Sequence, residues 1–344
     1  MKGALRRLLF RLSPERAHHL TLTLLRLAGP LSPARKLLQT IFQAPDKPVE
    51  VFGRTFRNPL GLAAGYDKDG LAWRGLAALG FGHIEIGTVT PRPQAGNARP
   101  RVFRLVEDRA LINRLGFPGR GAQFVAKRLR GPRPAGLILG VNLGKNKDTL
   151  NERAAEDYLE LLEIFFPLAD YLAINVSSPN TEGLRSLQAR RPLEELLAAL
   201  VARRNELTQS NDRQSSAQPA LLVKISPDLA DDELDQALEA ILDSGIDGVI
   251  ATNTTTLREG LRSAQANEIG GLSGAPLAAL SFSMLEKIVR RTAGRLPVIN
   301  AGGILTPDDA RRRLDGGAAL VQVYTGLVYA GPGLVPEILE SIST

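Results

Sequence analysis

The sequence contains no cysteine, and this absence excludes disulfide bonds, thiolate metal sites and cysteine nucleophiles. It has only three histidines, His18, His19 and His83, two of them adjacent near the N-terminus. With so few, neither a histidine-rich metal site nor a Ser-His-Asp triad is visible. We therefore expect no metal ion, and any catalytic serine must act without a cysteine or histidine beside it.

Long apolar runs are also missing. No stretch approaches the roughly 18 to 20 apolar residues that span a bilayer, and Arg26 interrupts the best candidate. The N-terminus lacks the apolar segment and cleavage site of a signal peptide. We therefore expect no transmembrane helix. The apolar residues, 44% of the 344, are numerous enough to form one sizeable buried core.

Excess positive charge is confined to one end of the chain. The formal net charge is +7, and residues 1–36 hold eight Lys or Arg residues against one acid, Glu15. The rest of the chain is formally neutral. A nucleic-acid groove would need basic residues across the whole body, so we expect no nucleic-acid partner but a local anionic surface instead.

Residues 1–45 are predicted to form a helical arm, with helices near 2–12, from Pro14 to about residue 28, and from residue 33 to about residue 42. The first two carry leucines at helical spacing, and arginines of the first fall mainly on other faces. A basic arm with an apolar face is typical of a protein that lies on an anionic membrane. The alternatives are an arm folded onto the body and, less favoured, a transit peptide.

Residues 46–344 are predicted to form a (β/α)8 TIM barrel, giving an α/β fold with an N-terminal helical arm. After a short hairpin that turns at Gly53, apolar strands alternate with helical segments. The strands are expected near 60–64, 83–88, 137–143, 171–177, 220–226, 248–254, 296–301 and 319–325. Helices are expected near 70–79, 119–130, 151–166, 192–207, 231–244, 276–293, 307–315 and 333–342. An open doubly wound sheet is the alternative.

Two connections interrupt this alternation. Residues 89–118 form a long connection rich in Pro, Arg and Asn, and such loops are usually functional. The polar run from Gln209 to Gln218 is interpreted as a surface insertion without chemistry.

Every predicted strand ends in polar or glycine-rich sequence, and in a barrel these ends surround one site. The glycines after the last two strands, at Gly302-Gly303 and Gly326, would let backbone N–H groups approach a phosphate, with Gly274 adding another; tight turns are the alternative. Lys224 leaves an apolar strand and could stabilise negative charge on a bound ring.

The fourth predicted strand ends in the most polar exit of all. Its apolar residues lead directly into Asn175-Val176-Ser177-Ser178-Pro179-Asn180. Short neutral side chains of this kind can hold a flat heterocycle by its carbonyl and N–H edges without desolvating a charge. We interpret the stretch as a substrate site with an acting serine, against the simpler alternative of a turn that closes a strand.

Four motifs together resemble the signatures of the dihydroorotate dehydrogenases: Asn113-Arg114-Leu115-Gly116-Phe117, Asn175 to Asn180, Ala251-Thr252-Asn253-Thr254 and Gly270-Gly271-Leu272-Ser273-Gly274. Including the arm, the chain is most similar to class 2, the membrane-associated type that reduces quinone. Class 1 members have a cysteine where this chain has Ser178. The resemblance implies an FMN barrel that oxidises (S)-dihydroorotate to orotate in pyrimidine synthesis, as a peripheral protein of the cytoplasmic face of the cell membrane.

The resemblance also implies roles for individual positions. Ser178 would be the base that takes the C5 proton. Substrate would be held by Lys68, Asn113, Arg114, Leu115, Gly116, Phe117, Asn175, Asn180, Asn253 and Thr254. FMN would be held by Ala64, Gly65, Tyr66, Asp67, Lys68, Thr88, Asn142, Asn175, Lys224, Thr252, Gly274, Gly303, Tyr324 and Thr325. Membrane quinone would be bound by His18, Arg104 and Tyr324, with residues 1–36 touching the anionic membrane.

One position departs from the family pattern. Asn300 precedes Ala301-Gly302-Gly303 where a further glycine is expected, so the sequence does not determine the backbone path of that phosphate loop.

Two other functions are compatible with the sequence. Another flavin barrel with a different acceptor would favour iron–sulfur cysteines or a broad basic surface, both missing here. A non-catalytic barrel that docks on membranes would not turn over dihydroorotate.

Overall fold

The computed structural model describes residues 4–29, 32–210 and 218–342. Most of the polar run expected to be a surface insertion, residues 211–217, lies outside the described residues, as do Lys2 and Pro30 of the arm.

The arm consists of three helices, α1 (Ala4–Arg11), α2 (Pro14–Ala28) and α3 (Ser32–Ile41). Pro14 occupies the first turn of α2, where its missing N–H costs nothing. Ser13 lies at the N-cap as the sequence predicts, but its side chain makes no capping hydrogen bond. No helix among the described residues has the length and apolar character needed to cross a bilayer.

Eight parallel strands close into a barrel, which confirms the predicted TIM barrel and excludes the open sheet. In barrel order they are β3 (Leu60–Leu62), β4 (His83–Val89), β7 (Ile138–Leu143), β8 (Tyr171–Asn175), β9 (Ala220–Ile225), β10 (Gly248–Ala251), β12 (Val298–Ala301) and β13 (Leu320–Val323). The predicted strands start within two residues of these. Because these strands are buried on both faces, their apolar runs are nearly continuous and easy to locate.

Helices follow the strands as predicted. They are α4 (Trp73–Ala77), α5 (Ala122–Leu129), α6 (Ala154–Phe165), α7 (Arg190–Ser210), α8 (Asp231–Asp243), α9 (Ala278–Thr292), α10 (Pro307–Asp315) and α12 (Leu334–Ser341). One short helix, α11 (Thr325–Ala330), is not predicted; its first residue, Thr325, falls inside the strand expected near 319–325. Short 3-10 helices cover Asn151–Arg153, Leu184–Gln188 and Ala275–Leu277.

The barrel interior has its own core, separate from the apolar layer between strands and helices. The predicted hairpin, β1 (Val49–Val51) and β2 (Arg54–Phe56), closes the N-terminal end and places Phe56 in this core. Gly140 is required here, because a Cβ at this position would lie 2.0 Å from the ring of Tyr171. Large rings therefore fill the bottom of the barrel and leave the space for a ligand at the top.

The connection at 89–118 is not the irregular loop that the sequence suggests. It contains β5 (Val102–Leu105) and β6 (Ala110–Asn113), which pair with β11 (Gly271–Gly274) in a three-stranded antiparallel sheet. Phe103, Leu105 and Ile112 form a small core under it. The prediction missed these strands because Pro and Arg surround short apolar alternations, and because two of the four residues of β11 are glycine.

The arm packs on the barrel at one close crossing of α2 over α4. A Cβ built on Gly75 would lie 2.1 Å from the carbonyl oxygen of Leu25, so only glycine permits this approach. Leu22 and Leu25 of α2 contact the core. Glu15 adds ion pairs with Arg99 (3.2 Å) and Arg101 (3.5 Å).

Replacing Gly75 should therefore loosen the arm. We expect Gly75→Ala to weaken docking of the arm by about 1–3 kcal/mol, the usual cost of overpacking. Limited proteolysis of residues 43–48, which join α3 to β1, should become correspondingly faster. Gln123→Ala, an exposed position of α5, serves as the control; equal cleavage rates for the two variants would contradict the role of Gly75.

Candidate active site

One cavity opens at the carboxyl ends of the barrel strands and encloses about 990 Å³, part of it open to solvent. Most of the residues singled out from the sequence line it: Ala64, Gly65, Lys68, Thr88, Asn113, Leu115, Gly116, Phe117, Asn175, Ser178, Asn180, Lys224, Thr252, Asn253, Thr254, Gly274, Gly303, Tyr324 and Thr325. Positions on or just after seven of the eight barrel strands, and positions from the 89–118 connection, thus meet around one space.

Amide side chains form one side of the cavity. Asn180 Nδ2 donates to Asn113 Oδ1 at 3.2 Å, and Asn253 Nδ2 donates to Asn175 Oδ1 at 3.1 Å. The first contact joins the loop after β8 to β6, which lies in the three-stranded sheet. Such a neutral set of donors and acceptors fits a planar ring that carries its own amide groups.

Ser178 lies in the loop after β8, beside the amides, and is 5% exposed. Its Oγ accepts a hydrogen bond from the backbone N–H of Asn180 at 3.3 Å. No carboxylate or imidazole is hydrogen-bonded to this hydroxyl in the part of the chain that the structure describes. Ser178 is thus held in place by its own loop, without a conventional base beside it.

Lys68 is a cation that lines the same cavity. It is partly buried and donates to the carbonyl oxygen of Gly65. Burial, followed by the nearby positive charge of Arg101, lowers the pKa of Lys68 to about 8. The ammonium can therefore attract an anionic substrate at neutral pH but begins to lose its charge just above it.

Below the cavity, Glu85 gathers a network of buried polar groups. Its carboxylate accepts from Asn142 Nδ2 (2.7 Å), Gln322 Nε2 (2.8 Å) and the hydroxyl of Tyr171 (3.2 Å). Lys224 Nζ lies 3.5 Å from the same carboxylate. The network holds the Lys224 ammonium in the floor of the cavity with a counter-charge beneath it.

Asn142 and Thr88 extend this floor toward the amide side chains. Asn175 Nδ2 donates to both Thr88 Oγ1 and Asn142 Oδ1, each at 3.0 Å. Asn142 is fully buried and does not line the cavity, so it acts on the cavity through these neighbours.

The opposite end of the cavity is made of glycine-rich backbone. Gly274, Gly302, Gly303 and Gly326 line it, together with Ser273 and Thr325, whose hydroxyls lie 2.9 Å apart. Gly303 has a φ of +74°, and a Cβ there would collide with Ala278 at the start of α9. Backbone and hydroxyl groups without an opposing carboxylate are suited to a phosphate.

Asn300 does not disturb this loop. It lies in β12, and its side chain is fully buried, with Nδ2 donating to the carbonyl oxygens of Ala251 (2.8 Å) and Ser281 (3.2 Å). The glycine pair that follows still lines the cavity. The backbone path of the loop from Asn300 to Gly303, which the sequence leaves open, is therefore compatible with a phosphate site, because the Asn300 side chain does not line the cavity.

The cavity has the donor set that a flavin nucleotide requires. Glycine loops lie at one end for a phosphate, and Lys224 lies in the floor for a ring that becomes anionic on reduction. Among the described residues, the buried Oε1 atom of Gln322 has no hydrogen-bond partner, and Gln322 also lines the cavity. This free acceptor is suited to an N–H group of a ring, so the residues that line the cavity fit a flavin nucleotide.

Rings connect the cavity with the arm. His18 of α2 meets Tyr66 edge-on at 5.0 Å between centroids, and Tyr66 meets Tyr324 at 5.7 Å. Burial, followed by the positive charge of Lys68, lowers the pKa of His18 to about 3, so this imidazole is neutral. An aromatic, uncharged contact path thus runs from α2 to Tyr324 in the cavity wall.

Arg104 lies on the arm side of the same region. Its guanidinium sits 4.3 Å from the ring centroid of Phe10 and donates to the carbonyl oxygens of Phe10 (3.2 Å) and Leu12 (3.4 Å). It thus fastens the end of α1 to β5. His18 and Arg104 are both at the junction of arm and barrel rather than in the main cavity.

Three further positions singled out from the sequence do not line the cavity. Arg114 pairs with Glu268 at 2.7 Å and stacks on Phe103. Asp67 accepts from the backbone N–H groups of Leu71 and Ala72, each at 2.7 Å, and burial raises its pKa to about 6. Tyr66 forms the ring contacts described above. Arg114 and Asp67 therefore act on the surroundings of the cavity, and Tyr66 lies between the cavity wall and the arm.

The sequence reasoning missed Glu85 and Gln322. Both lie in strands at alternate positions before a polar exit, and each is a polar residue inside an apolar run. That interruption is the signal that could have found them, because an unpaired polar group in a buried strand is costly.

Comparison with known proteins agrees with this geometry. The family model described as dihydroorotate dehydrogenase matches residues 48–344. A protein of Anaeromyxobacter sp. (strain Fw109-5) named dihydroorotate dehydrogenase (quinone) is 48% identical over 99% of this chain and 92% of its own length. One of the same name from Azotobacter vinelandii is 49% identical over 98% of this chain and 95% of its own.

A solved structure shows the same likeness. The Eimeria tenella DHODH, crystallised with ferulenol, superposes with a TM-score of 0.87 and 39% identity, over 96% of this chain and 90% of that one. The sequence match, the closed barrel and the cavity at its strand ends lead to one conclusion: the chain belongs to the dihydroorotate dehydrogenase family.

Proposed function

We propose that this protein oxidises (S)-dihydroorotate to orotate with FMN as cofactor and passes the electrons to a membrane quinone, a step of pyrimidine synthesis. The observation that carries the proposal is a single cavity that combines an amide side, a serine, a buried lysine and a glycine-rich end. The relatives named above as quinone-dependent enzymes support the acceptor.

FMN, when bound, would supply the acceptor for the hydride of substrate C6. Gly274, Gly303 and Thr325 would hold its phosphate, and Lys224 would lie against its ring. The other inferred positions that line the cavity would surround it, whereas Tyr66, Asp67 and Asn142 would act from behind the cavity wall. Glu85 would keep the Lys224 ammonium in position from below.

Ser178 would remove the C5 proton. A serine hydroxyl is a weak base, so the step depends on its position and on a route that carries the proton away. Its loop fixes the Oγ atom through the N–H of Asn180, and burial excludes bulk water from its surroundings. The proton would leave by way of bound water.

The amides and Lys68 would hold the substrate. Asn113, Asn180 and Asn253 offer donors and acceptors to the ring, and Lys68 offers an ammonium to its carboxylate. A cation that faces a carboxylate and neutral groups that face a diamide ring match the charge distribution of dihydroorotate.

The junction of arm and barrel would bind the quinone. Neutral His18, Tyr66 and Tyr324 offer apolar and hydrogen-bonding edges, and Arg104 holds α1 beside them. Residues 1–36 would contact an anionic membrane at the cytoplasmic face, so that a lipid-soluble acceptor reaches the junction from the bilayer.

Both half-reactions can be tested in one anaerobic experiment. The visible spectrum of the purified protein is recorded, dihydroorotate is added, and a soluble quinone follows. We expect a flavin spectrum that bleaches with dihydroorotate and returns with quinone. A protein loaded with FMN that never bleaches would disprove the substrate. Bleaching without recovery would disprove the acceptor.

Substitution of the serine tests the proton step. Ser178→Ala should retain FMN and lose flavin reduction by about 100-fold or more, the usual size of a base contribution. Ser178→Cys should recover part of the rate, increasingly so toward the thiol pKa of about 8.5. Stopped-flow reduction by dihydroorotate measures both, and near-normal reduction by the alanine variant would remove Ser178 from this role.

The lowered pKa of Lys68 predicts a pH dependence of substrate capture. Below pH about 8 the ammonium is present and attracts the substrate carboxylate; above it the charge is lost. The kcat/KM for dihydroorotate should therefore fall by up to about tenfold per pH unit above pH 8. Lys68→Arg, which stays charged, should not show this fall. A flat profile for the wild type between pH 7 and 9.5 would refute the assignment.

A further inference from the structure

A second cavity lies between the arm and the barrel and shares no lining residue with the active-site cavity. We call it the arm cleft. Its empty space is about 2070 Å³, part of it open to solvent. The C-terminal part of α2 and α3 form one wall, and α4, the end of α5 and the chain from Pro132 to Leu137 form the other.

The arm cleft is lined by cations of both walls. Arg26, Arg35 and Lys36 come from the arm. Arg57, Arg74, Arg128 and Arg133 come from the barrel, and no Asp or Glu is among the described residues that line it. Such a concentration of one sign of charge in a concave surface attracts anions.

Few of these charges are neutralised by the protein. Arg57 pairs with Asp46 at 2.8 Å and Arg133 with Asp170 at 2.9 Å. The other five have no carboxylate partner within the described ranges. The Nε atom of Arg128 is also buried, and no described residue offers it a hydrogen bond.

The floor of the arm cleft is apolar and brings two of the cations together. Arg74 stacks on Trp73, 4.0 Å from the ring centroid, and donates to the carbonyl oxygens of Arg130 (3.0 Å) and Pro132 (3.2 Å). Burial and then the positive charge of Arg128 lower the pKa of Arg74. A bound anion would relieve this repulsion.

An exposed apolar surface borders the arm cleft. Leu20, Leu24 and Leu27 recur along one side of α2 and are 43%, 58% and 57% exposed, and Leu37 and Ile41 of α3 are 61% and 48% exposed. Leu27 also lines the arm cleft, so the two surfaces are continuous. A soluble anion would contact only the cations and leave these leucines in water. A phospholipid has a phosphate for the cations and acyl chains for the apolar surface.

We propose that the arm cleft binds the phosphate headgroup of an anionic phospholipid, while Leu20, Leu24, Leu27, Leu37 and Ile41 face its acyl chains. The inference rests on the membrane contact of the proposed function and extends it. The barrel itself, through Arg74 and Arg128, contributes to lipid binding, and the lipid fixes the arm against the barrel.

The test uses the full-length, FMN-loaded protein and vesicles of phosphatidylcholine with or without phosphatidylglycerol. Arg128→Gln should lower the association constant for the phosphatidylglycerol vesicles about fivefold, the effect of one charge at a membrane surface. Co-sedimentation measures it. Reduction by dihydroorotate, which should not change, verifies that the variant is folded.

Lys127→Gln is the matched control. Lys127 is exposed on the same helix, carries the same charge, and does not line the arm cleft. It should leave vesicle association unchanged. Equal losses for both variants would overturn the proposal in favour of non-specific attraction, and wild-type binding by Arg128→Gln would overturn it directly.

Inorganic phosphate separates a lipid from a free ligand. Phosphatidylglycerol vesicles should slow limited proteolysis of residues 43–48 because the lipid fixes the arm, whereas inorganic phosphate alone, at matched ionic strength, should not. Equal protection by phosphate alone would overturn the lipid in favour of a soluble phosphate. If phosphatidylglycerol does not increase the association of the wild-type protein with vesicles, both the lipid site and the proposed membrane contact are disproved. The anaerobic reaction with dihydroorotate tests the proposed chemistry independently of this result.

Discussion

The buried carboxylate of Glu85 is the interaction on which the site depends. It lies in β4 and is contacted from β7, β8, β9 and β13 by Asn142, Tyr171, Lys224 and Gln322. A charge without partners at this depth would cost several kcal/mol, and removal of one partner of a buried pair costs about 3–5 kcal/mol. These contacts fix the five strands relative to one another. They also fix the position of the Lys224 ammonium in the floor of the cavity.

The wall of the cavity above this network has three regions that differ in charge and in hydrogen-bonding groups. Neutral amides lie on one side, glycine-rich backbone lies at the other end, and Lys224 lies between them. The three-stranded sheet matters here because β6 brings Asn113 to Asn180 across the mouth of the barrel. The connection that carries it is therefore part of the site.

The arm has two apolar sides with different neighbours. Ala17, Leu22 and Leu25 of α2 face the body of the protein, whereas Leu20 and Leu24 remain exposed. The sequence alternatives, an arm on a membrane and an arm folded on the body, are therefore compatible, because one helix has a side for each. Its crossing at Gly75 places His18 beside the ring path to the active site and forms the arm cleft at its other end.

The sequence by itself determined the barrel and most of the cavity wall. Buried parallel strands are continuous apolar runs, and their polar exits are local features of the chain, so Asn175, Ser178 and Lys224 could be assigned before any contact was known. Only the tertiary structure decided what those residues touch. The partners of Glu85, the pairing of β11 with β6 and the cations of the arm cleft come from segments far apart in sequence. Their effect depends on burial and distance, which exist only once the barrel has closed and the arm has packed against it.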